Sequence, residues 1–558
     1  MKKEILLPLL IFFLALFLRL NNINWDVNLH LHPDERFLTM VGNAMRMPAN
    51  IGMYLNPSAS QFNPANIQFP FFVYGVFPLV FNKIIAILLN NDTYNLFTIQ
   101  GRAMNAVADG IIIFIVYAIV RIWDREKKKG ISTACWAAFF YAVSVLPIQL
   151  SHYFTTDTFL SLFSVSAFLF FLLFSRSGKI IWLIVGVVTF GLAVSSKINA
   201  FFMLPLLGYF SLRYLISRKP TFHFVIFLSI ISTIILYSTV RLASPYYFQS
   251  VNIFDPTISK LFIENIKSLK SFEGNDVWYP PAIQWLSKGT LFTIKNIIFY
   301  GIGFLQSTLI IAGIVSIFKR KKQIDLYMVL FWLGVIIVYQ SFQFVQTMRY
   351  LIFIYPFLAI ITAMGASFVI DRFSKHRLLK SIVVRSLFIG ALIWPLAFIS
   401  IYFTSQTRLT ASEWVYKNVP PNSTILGEYW DDALPVSIGN LSSQTYTIVQ
   451  MKVFDVDTNT KWNELQTQLK TGDYYILSSN RAWGSIMPLT EKYPKMSRFY
   501  RDLFAGNTPY KKVAEFNSYP SLKYLGIPLD LPDEGAEEAF SVYDHPKVLI
   551  YKNIKPVK

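Results

Sequence analysis

Apolar residues in this chain run in long blocks, unlike the short alternations of a soluble domain. A helix that crosses a bilayer needs roughly 17–25 mainly apolar residues. Blocks of that kind cover residues 5–20, 98–122, 131–150, 158–174, 180–196, 200–216, 222–240, 297–318, 326–339, 350–370 and 382–403. They predict a polytopic α-helical membrane protein with about eleven transmembrane helices. Residues 69–89 are apolar too, but Pro70, Pro78 and Lys83 interrupt them. That segment reads as a re-entrant or interfacial helix, with a full span as the alternative. After Phe403 the pattern changes to short β-like runs at 424–429, 446–453, 474–478, 513–516 and 540–551. Helical patterns at 411–419 and 462–470 lie between them, and Pro420-Pro421-Asn422 and Gly506-Asn507-Thr508-Pro509 mark turns. The expectation is a membrane domain over 1–403 and an α/β domain over 404–558.

Composition agrees with a membrane protein: 54% of the 558 residues are hydrophobic and 17% aromatic. The formal charge of +19 divides unevenly. From Ser405 onward there are 17 basic and 17 acidic residues, whereas the preceding part holds 34 basic against 15 acidic. A basic membrane region usually reflects the positive-inside rule, so no nucleic-acid partner is expected. Stretches 2–3, 121–129, 176–179, 213–219, 319–322 and 372–385 together hold 21 Lys/Arg. All fall on one side if the spans alternate, and that side is then cytoplasmic. The N-terminus is expected in the cytoplasm, behind an uncleaved signal anchor, and the 404–558 domain outside. The single cysteine, Cys135, lies in an apolar run and permits no internal disulfide.

This topology puts sparse charges near the outer ends of spans: Asp34, Glu35, Arg102, Asp157, Lys197 and Arg349. Ionisable groups at a membrane boundary cost free energy unless paired or hydrated, which makes them functional candidates. In His30-Leu31-His32-Pro33-Asp34-Glu35-Arg36, Pro33 disfavours helix at His32 and starts one through 36–45. The two acids would sit in its first turn, where they serve as helix-dipole partners or as proton acceptors. For the cations the alternatives are phosphate binding and snorkelling to the interface. Lone interfacial histidines such as His32 and His152 are more often structural. The aromatic stretches 244–248 and Val277-Trp278-Tyr279 suit either sugar stacking or an interfacial belt. Asp455-Val456-Asp457 lies in the tail, away from any nucleotide sugar, and Tyr543-Asp544-His545-Pro546 reads as a turn before a last strand. No P-loop or dinucleotide fingerprint occurs in the required context. The acids and histidines could assemble a divalent-cation site, but no strong ligand spacing is present, so no metal and no certain cofactor are predicted.

His32-Pro33-Asp34-Glu35 after the first span resembles the protein O-mannosyltransferases and, more broadly, the bacterial polyprenyl-phosphate-sugar transferases that include the lipid A aminoarabinose transferase. These are GT-C membrane glycosyltransferases. Gly101-Arg102-Ala103-Met104-Asn105-Ala106, the stretch from Ser151 to Asp157, Gly191-Leu192-Ala193 with Lys197, and Arg349-Tyr350 with Tyr355-Pro356 resemble further family motifs in the same order. The resemblance covers most of 1–403. It implies inverting transfer of a sugar from a polyprenyl-phosphate donor to an acceptor hydroxyl. Asp34 would be the base, Glu35 would position the acceptor or tune Asp34, and Asp157 would orient the acceptor or bind a cation. Arg102, Lys197, Arg349 and Tyr350 would hold the donor phosphate, and His32, His152, Trp278 and Tyr279 would contact acceptor or sugar. The tail is similar to those of bacterial relatives, which implies a prokaryotic cytoplasmic membrane. The acceptor (cell-envelope glycan, lipid or protein) stays open. The rival readings are a transporter or flippase of lipid-linked saccharides and a non-catalytic scaffold.

Overall fold

A computed structural model describes residues 2–123, 132–274, 277, 279–319 and 323–554. Basic residues at 124–129 and 320–322, and Trp278, lie outside the described residues. Among the described residues, seven helices are long and apolar enough to cross a membrane: Tyr94–Trp123, Asp157–Ser177, Ile198–Arg218, Phe222–Ala243, Ile324–Ser341, Met348–Arg372 and Arg377–Asn418. Two expected spans are broken instead. Thr133–Ala142 and Val145–Ser151 meet at 51°, and Phe292–Gly301 and Phe304–Lys319 meet at 111°. Leu6–Leu20 and Ile180–Ser196 are shorter apolar helices, as is Val76–Leu88. The helical part of the 69–89 segment is therefore 13 residues, about 20 Å at helical rise, and residues 69–75 are non-helical.

The bundle has a buried centre and a lipid-facing rim. Met348–Arg372 has 89% of its apolar window buried, and Phe222–Ala243 only 6%. A helix apolar on all sides, as both are, can take either place. Small residues select the central one. A Cβ at Gly365 would collide with the Leu309 carbonyl, and one at Gly313 with the Ile361 carbonyl. The two helices therefore pack backbone to backbone, the close approach that small residues allow in membranes.

The tail contains a five-stranded sheet: β1 (Thr424–Glu428), β2 (Thr447–Met451), β3 (Tyr474–Leu477), β4 (Tyr510–Phe516) and β5 (Val548–Asn553), in the order β2-β1-β3-β5-β4. β1 pairs in parallel with β2 and β3, and β5 is antiparallel to β3 and β4. Side chains alternate across it. Leu426, Tyr475, Leu477 and Leu549 enter one core with Val277, Ile283 and Trp285 of the preceding loop. Ile425, Tyr474, Ile476 and Ile550 face the other core, with Ala411 and Val415. The expected strand over 540–551 begins only at Val548, because Glu538–Ser541 is helical and Pro546 stops the turn that follows. The chain between β4 and β5 leaves the sheet and docks on the bundle. Ser521 N–H donates to Ser400 Oγ at 2.9 Å, and Phe540 packs against Phe398 and Tyr300.

Candidate active site

Pro33–Ala44 forms the expected helix, with Pro33 in its first turn and His32 as its N-cap. His32 Nδ1 accepts from the Glu35 N–H at 3.3 Å. Its ring lies between those of Tyr153 and Tyr543, each 4.4 Å centroid to centroid, and burial lowers its pKa to about 3. His32 is therefore a neutral cap that fixes where Asp34 projects, and at 1% exposure it offers no contact to acceptor or sugar.

Asp34 keeps 29% of its side chain exposed. Oδ1 accepts from the Tyr74 hydroxyl at 2.9 Å and Oδ2 from Arg349 Nη1 at 2.6 Å. Burial pushes the carboxyl up, but the Arg349 guanidinium and these hydrogen bonds more than reverse it, leaving it below the ordinary carboxylate value. Arg349 stands in the turn that opens Met348–Ile354; its Nε donates to Asp157 Oδ2 at 2.8 Å, and its Nη2 lies 2.7 Å from the same oxygen as an ion pair. Lys197, just past the end of Ile180–Ser196, donates to Asp157 Oδ1 at 2.6 Å and lies 5.0 Å above the Tyr350 ring. Asp157 itself is 0% exposed, whereas Arg349 and Lys197 keep 15% and 16%. Five of the expected residues thus gather at one end of the bundle. Asp157 does not reach solvent: both of its oxygens are taken, and it anchors the two cations instead of meeting an acceptor.

Arg102 and Glu35 go elsewhere. Arg102 sends its five N–H groups to Glu35, Asp26 and the Ile23 carbonyl, at 2.6–3.0 Å. Glu35 Oε1 also accepts the Phe154 N–H at 2.7 Å. Both side chains are at most 1% exposed. A buried guanidinium with every donor committed has nothing left for a phosphate, so this pair ties Pro33–Ala44 and the loop before it to Tyr94–Trp123. His152 is likewise enclosed, stacked on Tyr402 at 3.8 Å and within hydrogen-bonding distance of the Ile148 and Asn21 carbonyls. Arg349 fills the space between Asp34 and Asp157, so these residues do not fit a bridging cation. Among the described residues no group of three or more His, Cys, Asp or Glu is placed to hold a metal.

The family model described as dolichyl-phosphate-mannose-protein mannosyltransferase matches residues 78–238. The structure is similar to the oligosaccharyltransferase of Archaeoglobus fulgidus, solved in complex with Zn and sulfate, at a TM-score of 0.52. Identity is 13%, over 88% of this chain and 71% of that one. The fold is that of the GT-C membrane glycosyltransferases. A second GT-C structure, ArnT from Cupriavidus metallidurans bound to undecaprenyl phosphate, aligns over 97% of both chains with 12% identity and a TM-score of 0.46. No curated protein sequence matches the chain.

On this GT-C fold the tail supplies a roof over the cluster. Tyr279 packs edge-on against Trp430 at 5.6 Å. Arg481 Nε donates to Glu538 Oε1 at 2.7 Å, near the Tyr543 ring. Glu537 accepts from Thr347 Oγ1 at 2.7 Å and from the Met348 N–H at 2.9 Å, which clamps the turn that carries Arg349. Asp544 Oδ2 accepts from Gln149 (3.0 Å), Tyr153 (2.7 Å) and Tyr402 (2.9 Å). Its other oxygen meets His545, whose second nitrogen meets Asp533 at 2.7 Å. The stretch Tyr543-Asp544-His545-Pro546 is thus the main anchor of the tail, more than the plain turn its sequence suggests. Tyr74, Asp26, Glu537 and Arg481 were not among the expected residues. Asp26, beside Trp25 at the end of the first span, carried a usable signal as another boundary acid.

Proposed function

We propose that this chain is a GT-C glycosyltransferase that moves a sugar from a polyprenyl-phosphate donor to an acceptor hydroxyl. The observation that carries the reading is the Asp34–Arg349–Asp157–Lys197 chain, which puts one solvent-reaching carboxylate beside two solvent-reaching cations. Asp34 takes the acceptor's proton as the acceptor oxygen attacks the anomeric carbon. The bond from that carbon to the phosphate oxygen breaks, and the polyprenyl phosphate leaves with the electron pair, stabilised by Lys197 and Arg349. The second carboxylate of the cluster, Asp157, is enclosed and committed to Lys197 and Arg349, which supports a single displacement with inversion. The positive-inside pattern of the basic stretches supports a cluster on the outer face, with the N-terminus inside and the 404–558 domain outside, and the likeness of the tail to those of bacterial relatives supports a prokaryotic cytoplasmic membrane. The name of the matching family, which specifies a dolichyl-phosphate sugar, supports the donor class.

The test uses sealed membrane vesicles and sugars radiolabelled on polyprenyl phosphate or on a nucleotide. Right-side-out vesicles should release polyprenyl phosphate and move label to a non-lipid-phosphate product from the polyprenyl donor alone. Equal transfer from nucleotide sugars, or activity confined to inside-out vesicles, would overturn the proposal.

A further inference from the structure

A cavity of about 380 Å³ opens between the 57–76 loop and the 245–265 loop, within the size range of small-molecule sites. Tyr74, Tyr247, Phe248 and Phe262 supply ring surface, and Asn66 and Gln249 supply amides. Among the described residues that line it, none is charged. Its inner wall is pinned to the Asp34 cluster at two points. The Tyr74 hydroxyl donates to Asp34 Oδ1 at 2.9 Å. One residue on, Gly75 lies so close to the Ser195 and Ser196 carbonyls, directly before Lys197, that a Cβ there would collide with both. The outer wall is built too: Asn265 Nδ2 donates to the Pro70 carbonyl at 2.8 Å, and the Phe262 and Tyr247 rings pack at 4.3 Å.

We infer that this cavity binds an uncharged saccharide, the sugar part of the acceptor, and presents one of its hydroxyls past Tyr74 to Asp34. The inference rests on the transferase reading for its role, but the binding itself does not require turnover. Aromatic faces suit the C–H faces of a pyranose, and neutral amides can both donate to and accept from its hydroxyls. A phosphate, carboxylate or ammonium would enter without a counter-charge, and an unpaired charge is expensive to bury. The cations of the cluster, Lys197 and Arg349, are not among the residues that line the cavity. An acceptor held in this cavity therefore reaches the base without displacing the leaving phosphate.

The experiment is saturation-transfer NMR on the full chain in nanodiscs, with methyl α-mannoside as the neutral probe and glucosamine and glucuronate as charged ones. The neutral probe should bind saturably and at least tenfold tighter than either charged sugar. Phe262→Ala and Gln249→Ala should each weaken it by several-fold, and Phe262→Tyr should restore it. Absence of saturable binding, equal binding of the charged sugars, or indifference to both alanine variants would overturn the inference. If the probe binds as described but no sugar is ever transferred, the transferase reading fails and the cavity assignment stands. If transfer proceeds with an acceptor KM unmoved by Phe262→Ala and Gln249→Ala, the cavity assignment alone fails.

Discussion

Arg349 joins two carboxylates that lie 315 and 192 residues away in the chain. One guanidinium does this because its donors diverge: Nη1 serves Asp34, while Nε and Nη2 serve Asp157. A lysine has the charge but not the fork. Replacing Arg349 with glutamine should lower the transfer rate by roughly 10²–10³-fold, the usual cost of a lost charge-stabilising donor. The pH profile should move as well. Arg349 holds the Asp34 pKa down, so in the variant Asp34 protonates at a higher pH and the acid limb of the rate profile shifts upward. A variant with a near-native rate and an unmoved limb would contradict the role given to Arg349. At this scale the sequence pointed to residues that gather at one end of the bundle, including Asp34, Asp157, Lys197, Arg349 and Tyr350. It did not reveal who pairs with whom. Arg102 and Arg349 look alike as boundary cations, and only the fold encloses the first between Asp26 and Glu35 while leaving the second, paired with Asp34 and Asp157, in reach of solvent.

Among elements, the full-length spans were legible because a long apolar run has few other places to go. The breaks were not. The turn at Ile302-Gly303 depends on Gly303 at φ +86°, and the hydropathy of 297–318 does not register it. The strands of the sheet were visible as short β-like runs between turn signals, whereas the strap at 531–546, rich in Pro, Asp and Glu, looks like solvent-exposed turn. Its anchoring comes from partners distant in sequence. Within it, burial lowers and Asp533 and Asp544 together raise the His545 pKa, which ends at about 10 against an ordinary 6.5. A group raised in the folded state contributes stability fully below 6.5 and loses it as pH climbs through about 10. The melting temperature of the purified chain should therefore fall over that window, and His545→Gln should flatten the fall. Parallel curves for the two proteins would mean that the imidazolium does not hold the strap.

For the molecule as a whole, the tail and the bundle form one site between them. Glu537 holds the turn of Arg349, Tyr543 packs on the cap of the Asp34 helix, and the saccharide cavity adjoins Tyr74 on the bundle side. The formal charges of Asp34, Asp157, Arg349 and Lys197 cancel, so the anionic donor proposed above would meet a neutral cluster in which two cations retain solvent access. Everything proposed for the reaction then depends on Asp34 as the proton acceptor. The decisive measurement is the rate of sugar transfer from polyprenyl phosphate by Asp34→Asn against the wild type, at matched protein and saturating donor. With Asp34 as the base, transfer should fall by about 10²–10⁴-fold, the range for a removed general base, with donor binding retained. Transfer by Asp34→Asn at the wild-type rate would contradict it.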